Sequence, residues 1–193
     1  MNYPKGIKRD NNINNNIRYD NRGMGLEYDI NITNQYYIEQ KKAYIYKKPT
    51  PIQVTKIDYK NNSMIIKEGY FKEPSTTDYN GLYDGKYIDF EAKETNSKTA
   101  FPLANIHKHQ IDHIRNIVNN KGIGFLIVRF NLLDRTYILL GNDLISFIDS
   151  NERKSIPIDY FEKEGFLIDT GYIPRLDYLK VIDNILGGIK DDK

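Results

Sequence analysis

The sequence predicts one α/β domain, with a mixed central sheet and helices on its faces. Three observations lead there. Asp84-Gly85 is a strong two-residue hairpin signal, because a type I′ turn needs positive φ at both central positions. Residues 86–130 read as strand, helix, strand, a crossover that sets two strands parallel. The 193 residues fit a single domain, and no internal repeat or linker divides them.

Residues 1–20 are Asn-rich and carry Lys5, Lys8, Arg9 and Arg18. Such a segment cannot bury enough surface to offset its ordering entropy, so it reads as a basic arm. Residues 21–187 form the expected domain, and 188–193 a C-terminal tail. Residues 25–42 predict the first helix, with Leu26, Ile30, Tyr37 and Ile38 on a helical stripe. Glu27 lies near its start, where a carboxylate favours the helix dipole. Residues 43–48 and 52–59 alternate as strands. Lys47-Lys48-Pro49-Thr50-Pro51 separates them, since proline cannot donate to a ladder. Asn61-Asn62 offers a turn, and residues 64–72 continue as a strand. Lys56, Lys60, Lys67 and Lys72 decorate this hairpin, which by itself reads as a solvated basic surface.

Beyond the Asp84-Gly85 turn, residues 102–121 predict a helix, with Pro102 in its first turn and Gly122 past its end. Gln110 falls in its apolar stripe, four residues from Ile106 and from Ile114. A polar amide there needs a partner, ordinarily a backbone group. Residues 123–130 are a continuous apolar run with one arginine, a buried strand. Residues 135–140 predict another strand, 143–149 a short helix, 150–158 a charged loop and 176–186 the last helix.

The chemistry concentrates in residues 76–93, TTDYNGLYDGKYIDFEAK. Counting back from the turn pairs Tyr83 with Lys86, Asn80 with Asp89, Asp78 with Glu91 and Thr76 with Lys93. Opposed residues share a face with Cβ atoms roughly 4.5–5.5 Å apart. Alternation puts Asp89, Glu91 and Lys93 on one face, and Ile88, Phe90 and Ala92 on the other. Two carboxylates so opposed require a proton on one or a cation between them. Oxygen ligands with open positions suit Mg²⁺, which keeps waters and binds phosphates. The alternative is an exposed hairpin face laced with ordinary charge pairs.

Asp78 followed by Glu91-Ala92-Lys93 resembles the acidic core of the PD-(D/E)xK nuclease superfamily. The longer text is more specific: Asn21-Arg22-Gly23-Met24, Lys47-Lys48-Pro49-Thr50-Pro51, Tyr70-Phe71-Lys72, Ser75-Thr76-Thr77-Asp78-Tyr79-Asn80-Gly81, residues 87–95 (YIDFEAKET), His109-Gln110-Ile111 and Pro174-Arg175-Leu176-Asp177-Tyr178. Over residues 20–186 the chain is similar to the RecU family of Holliday junction resolvases. The resemblance implies a restriction-endonuclease-like core with a protruding β-rich stalk at about residues 50–74. It implies a Mg²⁺-dependent endonuclease (Mn²⁺ as an alternative) that resolves four-way junctions by paired nicks during recombination and repair.

By the same resemblance, Asp78 and Glu91 hold the metal, Gln110 and Thr76 complete the site, and Lys93 serves catalysis. Glu27 and Asp89 are accessory candidates. Arg22, Arg175 and the lysines at 56, 60, 67 and 72 are candidate phosphate contacts, and the arm contributes to DNA binding. A homodimer, work alongside RuvAB and RecA, and a cytoplasmic location are also implied. Three other readings stay open: a duplex or repair nuclease without junction selectivity, a non-catalytic junction-binding scaffold, and an ordinary α/β interaction protein, which would show no salt-dependent DNA binding.

Composition adds limits. Lys plus Arg is 28 and Asp plus Glu 26, so the net charge of +2 gives no global pull toward nucleic acid, and any basic surface is local. The absence of cysteine excludes disulfides and thiolate metal sites. No apolar run approaches the roughly 18 residues of a membrane span, and the N-terminal stretch has no hydrophobic signal core. His107, His109 and His113 lie close in sequence but read as surface groups rather than a zinc site.

Overall fold

The computed structural model describes residues 25–60, 63–72 and 76–188. The basic arm and Arg22 lie outside the described residues. The elements in order are α1 (Leu26–Glu39), β1 (Ala43–Lys47), β2 (Ile52–Lys60), β3 (Ser63–Phe71), β4 (Tyr79–Tyr83), β5 (Lys86–Thr95), β6 (Ala100–Pro102), α2 (Lys108–Asn119), β7 (Ile123–Phe130), β8 (Arg135–Leu140), α3 (Gly141–Ser150), β9 (Ser155–Pro157), α4 (Ile158–Glu164), β10 (Phe166–Ile168) and α5 (Tyr178–Gly188).

A six-stranded sheet runs in the order β1-β4-β5-β7-β8-β10. Its β5–β7 pair is parallel and its other pairs are antiparallel, so the sheet is mixed. β5, α2 and β7 form the expected crossover. The continuous apolar run of β7 has a direct explanation: its two faces feed different cores. Phe125 and Ile127 join Leu26, Ile30, Tyr37, Phe90 and Tyr178 under α1 and α5. Leu126 and Val128 join Ile114, Leu139, Leu144 and Phe161 under α2, α3 and α4.

The Asp84-Gly85 turn is present, with φ of 47° and 71° at its two residues. The register counted from it holds from Tyr83↔Lys86 to Tyr79↔Phe90. At Gly81 a side chain is impossible, because a Cβ would lie 2.1 Å from the Tyr44 carbonyl oxygen on β1. β2 and β3 form a separate two-stranded sheet, exposed along nearly its whole length and bulged near Lys56.

Three expectations need correction. The helix expected at 102–121 starts later. Pro102 pairs with Ser155, and the Leu103 N–H donates to the Lys154 carbonyl at 2.9 Å. A single 3₁₀ turn follows, Ile106 is extended, and the true helix begins at Lys108. Segment 150–158 is not all loop, because that strand pairing builds β9 and α4 begins at Ile158. The last helix begins at Tyr178, since Leu176 is held in an extended bridge to Thr170. Among the described residues, no helix is long and apolar enough to cross a membrane.

Candidate active site

The strand ladder stops at Tyr79↔Phe90, and the chain bends at Asp78. The expected opposition of Asp78 and Glu91 takes a different form. The Asp78 N–H donates to Glu91 Oε2 at 3.0 Å, while its carbonyl accepts from the Lys48 N–H at 2.7 Å. Thr76 lies past the end of the ladder, so its pairing with Lys93 does not form. Its hydroxyl turns to the Thr77 carbonyl, at 3.4 Å.

Glu91 is fully buried. Its pKa rises from 4.5 to about 7, first because burial penalises the charged form and then because Asp78 lies beside it; Lys93 opposes the rise. Lys93 Nζ lies 2.6 Å from Glu91 Oε1, with its side chain 23% exposed. Among the described residues no donor besides this ammonium meets the buried Oε1.

These features fit a divalent cation. A fully buried carboxylate beside a second carboxylate, with an ammonium as the one partner of its inner oxygen, leaves lone pairs that a hard cation satisfies. Among the described residues no three His, Asp or Glu side chains cluster around one point. Gln110 is buried in the first turn of α2, where its Oε1 accepts from the His107 N–H at 3.0 Å. This is the backbone partner that its place in the stripe demanded, and a carbonyl oxygen keeps a second lone pair.

Asp89 shares the face of Glu91 and is fully buried. Its Oδ2 meets Lys48 Nζ at 2.8 Å, the Tyr87 hydroxyl at 2.9 Å and His113 Nε2 at 3.1 Å. Its Oδ1 accepts from the Thr77 hydroxyl. Lys48 and Thr77 are site neighbours that sequence reasoning missed as individuals. Both stand inside the motif text, and the polar alternation of β5 was the available signal. His107 and His109 stack at 5.4 Å, and His113 turns to Asp89, so the histidines do not converge.

The remaining candidates are dispersed. Glu27, on the first turn of α1, pairs with Lys47 at 2.5 Å. Arg175 Nε donates to Asp29 Oδ1 at 3.2 Å, and Arg129 binds the other oxygen of that buried carboxylate at 2.7 Å. On the β2–β3 hairpin, Lys56 lies 3.8 Å from Glu68 and Lys67 lies 2.9 Å from Asp58. Lys60 and Lys72 are exposed at opposite ends of that hairpin.

Comparison with known proteins gives one family. The family model described as Recombination protein U matches residues 21–184. A protein of Geobacillus kaustophilus named Holliday junction resolvase RecU is 50% identical over 194 aligned positions, covering 96% of this chain and 97% of its own length. Proteins of the same name from Bacillus cereus (strain G9842) and Geobacillus sp. (strain WCH70) are 51% and 53% identical, each over 86% of this chain and over 86% and 85% of their own. The match spans the bent Asp78 segment, the buried Glu91 and the exposed hairpin alike, and on that footing the chain belongs to the RecU family.

Proposed function

We infer that this chain is a structure-specific endonuclease that resolves four-way Holliday junctions by paired phosphodiester hydrolysis. The observation that carries the chemistry is the buried Glu91 carboxylate, set between the Asp78 N–H on Oε2 and the Lys93 ammonium on Oε1. Asp78 and Glu91 would hold Mg²⁺, or Mn²⁺ in its place, with Gln110 and Thr76 completing the site. A cation held by these residues would supply Lewis-acid charge for phosphodiester hydrolysis. Glu91 would hold the cation as a carboxylate, because metal ligands bind deprotonated. Lys93, held against Glu91 and partly open to solvent, presents its ammonium to charge developing on the phosphate.

Substrate contacts extend outward. The exposed hairpin enters the junction, and Lys56, Lys60, Lys67 and Lys72 meet its phosphates, as do Arg22 and Arg175. A four-way junction has near two-fold symmetry and needs two coordinated nicks, which a symmetric homodimer provides. Cytoplasmic action beside RuvAB and RecA rests on the family resemblance.

The test is cleavage of a mobile synthetic four-way junction and a matched linear duplex, in Mg²⁺ and in EDTA. Wild type runs beside Asp78→Ala and Lys93→Ala. Paired nicks on the junction alone, requiring metal and lost in both variants while binding persists, are expected. Binding without cleavage in any divalent metal would leave a scaffold, and equal cutting of the duplex would remove junction selectivity.

A further inference from the structure

The β4–β5 ladder ends at Tyr79↔Phe90, and on the β1 side a single backbone bond reaches Asp78. Side chains complete the hold on residues 76–78. Thr77 is buried between two partners: its hydroxyl donates to Asp89 Oδ1 and accepts from Lys48 Nζ at 3.0 Å. Lys48 closes the circuit on Asp89 Oδ2 at 2.8 Å, and its own N–H takes the Asp78 carbonyl at 2.7 Å. Both oxygens of Asp89 are thus occupied, with Tyr87 and His113 also on Oδ2. A cation could bind Asp89 only by displacing this shell.

We propose that Lys48, Thr77 and Asp89 are positioning residues that fix the Asp78 segment opposite Glu91, so that the two carboxylates are set before a cation arrives. The proposal rests on the metal-nuclease reading and deepens it. Its chemistry is that of groups outside a metal's immediate ligands. They touch neither metal nor phosphate, yet they hold a ligand in its binding orientation. Loss of such a partner typically costs about 10–100-fold in metal affinity or activity.

The informative variant is Thr77→Val, which keeps the volume and the Lys48–Asp89 ion pair but deletes the hydroxyl. Lys48→Met is less useful, since it leaves a buried carboxylate without its cation and endangers the fold. Mn²⁺ alone is titrated calorimetrically into the full chain, at a temperature where near-UV circular dichroism of each variant matches wild type. Junction binding is measured in EDTA alongside.

Thr77→Val is expected to bind Mn²⁺ roughly 10–100-fold more weakly, with junction affinity unchanged and Thr77→Ser close to wild type. In cleavage, Thr77→Val needs more Mg²⁺ for half-maximal rate. Wild-type Mn²⁺ affinity in Thr77→Val would overturn the positioning role and leave the metal reading intact. No Mn²⁺ uptake by wild type itself would overturn both.

Discussion

Glu91 concentrates the residue-scale physics. Its folded pKa of about 7 lies above the ordinary 4.5, so the folded state binds more protons between those values. The sign follows: without metal, the contribution of Glu91 to stability is highest below pH 4.5 and falls as pH rises to about 7, by roughly 3 kcal/mol. Glu91→Gln should remove that slope. Thermal unfolding in EDTA across pH 4.5–8 checks it, and parallel profiles for the two proteins would exclude a raised Glu91. For Lys93→Ala, loss of one charge-stabilising donor predicts a kcat lower by roughly 100- to 1,000-fold with junction affinity retained. A single turn made much of this legible: counting from Asp84-Gly85 brings Asp78 to Glu91. The Lys48–Asp89 pair was not legible, because its members stand 41 residues apart with the β2–β3 hairpin between them.

Among elements, α1 is tied down by charge as well as by packing. Asp29 holds Arg129 of β7 and Arg175 of the segment before α5. Asp29→Ala strands both arginines, and a loss of about 3–5 kcal/mol is expected in urea unfolding. A loss below 1 kcal/mol would mean that the two arginines find other partners. The β2–β3 hairpin is the opposite case, for a two-stranded sheet buries little. Replacing residues 53–70 with a short turn should leave the melting temperature nearly unchanged and abolish preference for a junction over a duplex in competition binding. Strands β7 and β8 were legible to the residue because apolar runs and flanking breaks agree. The start of α2 was not. Pro102 and the periodic Leu103 and Ile106 mimic a helix, while the β6–β9 pairing that overrides them depends on residues about fifty positions away.

At the scale of the molecule, strand order was beyond the sequence. β1 pairs with β4 across the whole β2–β3 excursion, and β10 closes the far edge with only three residues. The net charge of +2 likewise says nothing of where the basic groups lie. What the fold does reveal is how the site is floored. Tyr79 stacks on Phe90 at 4.9 Å, Phe90 stacks on Phe125 at 4.7 Å, and Tyr178 leans on Phe90 at 5.3 Å. Each of the first two rings is the sequence neighbour of a candidate-site carboxylate, Asp78 or Glu91. The cutting centre therefore has no private melting point. On heating, nuclease activity and near-UV ellipticity should vanish over the same few degrees, while a protease that clips the exposed hairpin can act well below that temperature.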